Sequence, residues 1–126
     1  MNILLADDSE SFRSIIKGML SKHKDLEVLA EASNGKNAIF HAENHTFDVI
    51  LMDVIMPEIN GIEATRHISR YFPKNKILAL TAYEDDFYLS RMIMAGARGY
   101  LIKPFDSDTL IEAIYATAAG KKYPNI

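Results

Sequence analysis

The sequence predicts an α/β domain: an open parallel sheet with helices packed on both faces. Three observations predict it. Short apolar runs alternate with longer segments of helical periodicity along the whole chain. The chain has 126 residues, 48% apolar and 25% charged, the size and balance of one compact domain. Most of the apolar runs end abruptly in a charged or hydroxyl residue, as strands do when they deliver side chains to one rim of a sheet. A chain of this size buries roughly two thirds of its extended surface and needs no covalent staples. It contains no cysteine. Disulfide scaffolds, cysteine-ligated zinc, iron–sulfur clusters and thiol nucleophiles are therefore excluded.

The elements follow in order. Apolar runs occupy residues 3–6, 26–30, 49–52, 77–80 and 100–102. Each is too short for a helix, and most lack polar alternation, as expected of strands buried on both faces. Between the first two, Phe12, Ile15, Ile16, Met19 and Leu20 repeat at helical spacing. Ala64, Ile68, Tyr71 and Phe72 form a later stripe, and Leu110, Ile111, Ile114 and Ala118 another. Residues 87–95 are apolar around most of a helix. That segment reads either as a deeply buried helix or as one whose second apolar face docks a partner. Right-handed crossovers then place the helices on both sides of the sheet.

Fourteen Lys and Arg against seventeen Asp and Glu give a net charge of −3, with no basic stripe. Direct nucleic-acid binding by this domain is not expected. No apolar run approaches a membrane span. The opening Met1-Asn2-Ile3-Leu4-Leu5-Ala6-Asp7-Asp8 lacks the basic flank of a signal peptide. A cytoplasmic protein is expected.

The residues after each run carry the chemistry. The first run ends in Asp7-Asp8, the third in Asp53, the fourth in Thr81 and the fifth in Lys103-Pro104. The second ends in Glu31-Ala32-Ser33-Asn34-Gly35, which reads as a turn. Polar strand ends are common one at a time; three carboxylates, a hydroxyl and an amine on one rim are not. Two like charges 4 Å apart repel by about 4 kcal/mol at an effective dielectric of 20. A hard divalent cation relieves that repulsion, and Mg2+ fits best because it takes one or two carboxylates, waters and phosphate oxygens. Lys103 supplies a point charge for phosphate and Thr81 a hydroxyl donor. A carboxylate can itself accept a phosphoryl group. Asp53 stands alone after the most apolar run and is the expected acceptor, with Asp7 and Asp8 as the metal-holding pair.

The motifs Leu5-Ala6-Asp7-Asp8-Ser9, Asp48-Val49-Ile50-Leu51-Met52-Asp53-Val54-Ile55-Met56-Pro57, Asn60-Gly61, Leu80-Thr81-Ala82 and Gly99-Tyr100-Leu101-Ile102-Lys103-Pro104 together resemble the receiver domain of two-component response regulators. The likeness runs over nearly the whole chain. It implies a flavodoxin-like (βα)5 fold with strand order 2-1-3-4-5. It implies that Asp53 is phosphorylated by a sensor histidine kinase or phosphotransfer protein. By the same resemblance, Asp8, Asp53 and the backbone carbonyl of Ile55 would ligate Mg2+, and Asp7 would act largely through a bound water. Thr81 would move to the phosphoryl group, Lys103 would pair with it, and Tyr100 would turn inward as the switch. A cis bond before Pro104 is implied as well.

A finer likeness is to NarL/FixJ-type receivers, carried by Glu31-Ala32-Ser33-Asn34-Gly35, Ala95-Gly96-Ala97-Arg98-Gly99-Tyr100-Leu101 and Ala113-Ile114 with Ala119-Gly120. These precede a helix-turn-helix output domain and control transcription. The receiver is expected over residues 1–120, with 121–126 a tail or the start of a linker to an output domain outside this sequence. A receiver cut from a longer regulator and a single-domain protein both fit. The resemblance also implies phosphorylation-linked homodimerisation. Tyr83 and Ile55 are expected to flank the acyl phosphate and slow its hydrolysis.

His41 and His45 stand four apart on an expected helix but have no third ligand near in sequence; they read, with His23 and His67, as surface residues. Rival functions are weaker. A haloacid-dehalogenase-type phosphatase wants an acid two residues after its nucleophile, where this chain has Ile55. A flavin or dinucleotide module wants a glycine-rich loop after the first strand, where Asp7-Asp8-Ser9-Glu10 would repel phosphate. The remaining alternative is a receiver-like interaction module working without phosphorylation.

Overall fold

The computed structural model describes residues 1–82 and 86–124. Five strands, β1 (Asn2–Ala6), β2 (Glu27–Ala32), β3 (Val49–Asp53), β4 (Ile77–Thr81) and β5 (Gly99–Ile102), alternate with α1 (Glu10–Leu20), α2 (Gly35–Asn44), α3 (Gly61–Tyr71), α4 (Asp86–Ala95) and α5 (Ser107–Ala118). The strands pair in parallel in the order β2-β1-β3-β4-β5. This is the expected flavodoxin-like fold. Every residue of β3 and β4 is buried, because helices cover both faces of the sheet centre.

Two cores result. Ala38, Ala64, Ile68 and Met92 pack α2, α3 and α4 on one face, with Ile50, Met52, Ile77 and Ala79 of the sheet. Ile16, Leu20, Leu110 and Ile114 pack α1 and α5 on the other, with Ile3, Leu5, Leu51 and Leu78. The caps of α1, α2, α3 and α5 are Ser9, Asn34, Asn60 and Asp106, each accepting a hydrogen bond from the N–H three residues on. Among the described residues no helix is long and apolar enough to cross a membrane.

The structure departs from the sequence reading at several places, among them Tyr71, expected on the apolar stripe of α3 and 57% exposed. Glu31 and Ala32, expected in a turn, finish β2; Asn34 then caps α2 and Gly35 begins it. β2 is an edge strand, so polar residues alternate along it and blur its end. Ile15, expected on the core stripe of α1, is 55% exposed. For α4 the structure decides between the two readings. Only Met92 and Ala95 are buried, while Phe87 is 53% and Met94 84% exposed. Of the two readings of this segment, the deeply buried helix is therefore excluded.

Close approach of backbone requires glycine at Gly61 and Gly99, among others. Gly61 opens α3 against the end of β3, where a Cβ would lie 1.9 Å from the Asp53 carbonyl oxygen. Its N–H donates to the Val54 oxygen at 2.7 Å. Gly99 is equally pressed against the chain's C-terminal segment. Gly120 turns that segment with φ 80°, and Tyr123 then forms a parallel bridge to Gly99. The Tyr100 N–H donates to the Tyr123 oxygen at 2.8 Å.

Replacing Gly61 by Ala is expected to cost about 1–3 kcal/mol, because the clash is with backbone and cannot be relieved by a rotamer. Urea denaturation measures it. Met94→Glu, by contrast, is expected to change stability by no more than about 0.5 kcal/mol. A larger loss in the same assay would mean that Met94 is buried in solution.

Candidate phosphoryl and metal site

The sheet order assembles the site. β1 and β3 are neighbours in register, Ala6 beside Met52, so the next residues, Asp7 and Asp53, come together at the rim. Asp53 pairs with Leu80, which puts Thr81 one residue further along β4. Thr81 pairs with Ile102, and the Lys103 N–H donates to the Thr81 oxygen at 2.7 Å. The Lys103–Pro104 bond is cis, as the resemblance implies.

Asp7, Asp8 and Asp53 each offer a carboxylate oxygen within 4.8 Å of the others. Among the described residues this is the one such cluster of potential metal ligands. Asp7 is buried, with both oxygens engaged: Oδ1 accepts from the Ser9 N–H at 2.8 Å and Oδ2 from Lys103 Nζ at 2.8 Å. Arg13 donates to its backbone oxygen. Asp53 Oδ1 accepts from the Val54 N–H at 3.0 Å and lies 3.6 Å from Lys103 Nζ. Asp53 Oδ2 and the exposed Asp8 carboxylate make no hydrogen bond among the described residues.

Burial first, then the negative charge of Asp7, pushes the Asp53 carboxyl up to about 6. The Lys103 ammonium and the Val54 N–H pull the other way without cancelling it. Among the described residues, three carboxylates thus face the Lys103 ammonium. The donor set fits Mg2+: two carboxylates with open oxygens, and a third whose committed oxygens suit contact through water.

Thr81 is fully buried at the end of β4. Tyr100 lies outside the cluster: it pairs with Ala79, two residues before Thr81, and its ring is half-buried against the α2–α3–α4 core. Ile55 follows β3 with its side chain exposed. Tyr83 lies outside the described residues. His41 rests its ring against Phe40, and His45 closes α2 with its ring against Phe47.

Three contributors escaped the sequence reading. Ser9 was legible in part, since an Asp two residues before a helix-starting Ser is an Asx-turn signal. Arg13 ties Asp7 to β2 by donating to Glu31 at 3.0 Å, and nothing local signals that. Phe12, read only as a core residue, lies under Lys103 with the ammonium 3.8 Å from its ring centre.

Comparison with known proteins agrees with this geometry. The family model for the response regulator receiver domain matches residues 3–115. Transcriptional regulatory protein DegU of Brevibacillus brevis is 40% identical over 98% of this chain and 52% of its own length. Response regulator UvrY of Escherichia coli is 37% identical over 98% of this chain and 56% of its own. The chain spans about half the length of the curated relatives it matches. The signal receiver domain of the response regulator NarL from Mycobacterium tuberculosis superposes with a TM-score of 0.91 at 25% identity, covering 95% of this chain and 97% of that one.

The raised Asp53 carboxyl fixes the sign of a pH effect. The folded state keeps a proton that the unfolded chain releases, so stability is lost as pH rises from about 4 to about 6. By pH 8 the burden is on the order of 2–3 kcal/mol. In magnesium-free buffer Asp53→Asn is therefore expected to be more stable than wild type at pH 8 by about 1–3 kcal/mol, with the gap closing toward pH 4. Urea midpoints at the two pH values measure it, and equal stability at pH 8 would refute the charge burden.

Proposed function

The chain belongs to the response regulator receiver domain family, and we propose that it is a phosphoacceptor switch in which Asp53 takes a phosphoryl group from a sensor histidine kinase or phosphotransfer protein. The observation that carries this reading is the Lys103 ammonium poised 2.8 Å from Asp7 and 3.6 Å from Asp53. A carboxylate oxygen of Asp53 attacks phosphorus, the donor's P–N bond breaks, and the imidazole nitrogen leaves with its electron pair and takes up a proton. Asp53 must be ionised to attack, and Lys103 favours that form. Lys103 then neutralises a phosphoryl oxygen, and the Thr81 hydroxyl donates to another.

Asp8, Asp53 and the Ile55 carbonyl would hold Mg2+, with Asp7 reaching it through water. Bound there, the ion supplies charge neutralisation for the acidic cluster and the phosphoryl oxygens. The chain's own residues do the rest: Asp53 accepts, Lys103 and Thr81 bind the transferred group, and the Val54 N–H orients the acceptor. The protein turns over no external substrate and catalyses only its own phosphorylation and dephosphorylation.

Phosphorylation adds charge and acceptor oxygens at the rim. Drawing Thr81 toward them opens space for the half-buried ring of Tyr100 to turn inward. The exposed apolar residues of α4 support a role as a docking surface for output. The output is transcription, through a helix-turn-helix domain in a longer parent chain. The names and lengths of the relatives DegU and UvrY support this. The protein works in the cytoplasm, with homodimerisation following phosphorylation.

Incubation with Mg2+ and acetyl phosphate, followed by intact mass measurement, tests the acceptor. One added phosphoryl group on wild type and none on Asp53→Asn is the expected result. No adduct, and no beryllofluoride binding, would leave the interaction module that works without phosphorylation.

A further inference from the structure

The Lys103 ammonium has three N–H directions and, among the described residues, three neighbours. Two are the carboxylates of Asp7 and Asp53, and the third is the face of the Phe12 ring, 3.8 Å away. We propose that Phe12, braced edge to face by Phe105, is a positioning residue that holds the Lys103 ammonium at the phosphoryl site. The proposal rests on the function given above and assigns it a residue from α1.

A lysine side chain is flexible, and ordering its ammonium costs conformational entropy. Asp7 alone would hold it, but as a tight ion pair drawn away from the acceptor. An aromatic face attracts a cation without neutralising it. It also shields one side of the ammonium from water, which strengthens the charge toward Asp53. Phe12 is itself well fixed. Its N–H donates to the Ser9 hydroxyl oxygen at 3.2 Å in the first turn of α1. Its ring meets Phe105 at 6.3 Å between centres and an interplanar angle of 87°. Phe105 lies two residues beyond Lys103 and packs on the α1–α5 core. The ammonium is thus enclosed between its own loop and the first helix.

Phe12 is half-buried while Ile16 and Leu20 on the same stripe are buried. It stands at the outer end of the stripe, beside an apolar groove of about 420 Å³ that it lines with Ile15, Met19 and Phe105. Core filling alone would be served equally well by Leu or Met. Among apolar side chains, only an aromatic ring offers a cation an attractive face.

Wild type, Phe12→Leu, Phe12→Met and Phe12→Tyr are compared in three measurements. In NMR, the Lys103 Hε protons are expected upfield through the ring current in wild type and the Tyr variant, and at ordinary positions in the Leu and Met variants. Ordinary shifts in wild type would overturn the proposal whether or not the protein is phosphorylated. With acetyl phosphate at saturating Mg2+, the Leu and Met variants are expected to react about 5- to 10-fold more slowly and the Tyr variant within about twofold of wild type. Magnesium affinity is expected to stay within about twofold throughout, since Phe12 touches no carboxylate of the cluster. Adding Phe12→Leu to Lys103→Met should slow the reaction no further. Unchanged rates in the Leu and Met variants, or an equal loss without Lys103, would overturn the positioning role. Failure of wild type to accept a phosphoryl group would count against the function itself, leaving the ring-current result to decide the contact.

Discussion

Asp7 and Asp53 face each other because β1 and β3 are adjacent parallel strands, and their mutual repulsion is the constraint around which this molecule is arranged. Parallel strands all point their C-terminal ends one way, so every charged residue that follows a strand arrives at the same rim. The chain answers the repulsion with backbone N–H groups from Ser9 and Val54 and with one ammonium from the far end of the sequence. That ammonium spans both carboxylates at the edge of the α1–α5 core. The loop after β1, the start of the segment after β3 and the residue after β5 thus each contribute to one local charge balance.

The balance is deliberately incomplete. Lys103 leaves the Asp53 carboxyl raised to about 6, so the resting site carries a proton affinity that a fully compensated carboxylate would lack. A site closed by a second lysine would leave no negative charge for a divalent cation to offset. The surrounding rigidity permits this burden. Every residue of β3 and β4 is buried, and the two cores grip the sheet from both sides.

Much of this was legible in the sequence, for identifiable reasons. β3 and β4 are continuous apolar runs because both their faces are covered, and the acids and hydroxyl that end them stand out by contrast. β2 was harder to bound because an edge strand shares its alternation with a loop. The grouping of Asp7, Asp8, Asp53 and Lys103 followed from topology alone. The ring beneath Lys103 did not, because Phe12 fits an ordinary helical stripe and its partner lies at the other end of the chain. The exposure of Ile15 escaped for the same reason: periodicity gives a helix's apolar face but not how far a neighbouring helix extends to cover it. Tyr83 lies outside the described residues.

The bridge between Gly99 and Tyr123 bears on the open margins of the sheet. An open sheet has two unpaired margins, each able to recruit a strand from a neighbour. Here the β5 margin is partly occupied by the chain itself, through the Tyr100 N–H and the Tyr123 oxygen. The β2 margin carries Glu27 and Glu31, the latter held by Arg13 and Lys17. One margin is guarded by charge and the other by a short length of its own backbone. Strand-to-strand pairing between sheets is thereby discouraged at both margins.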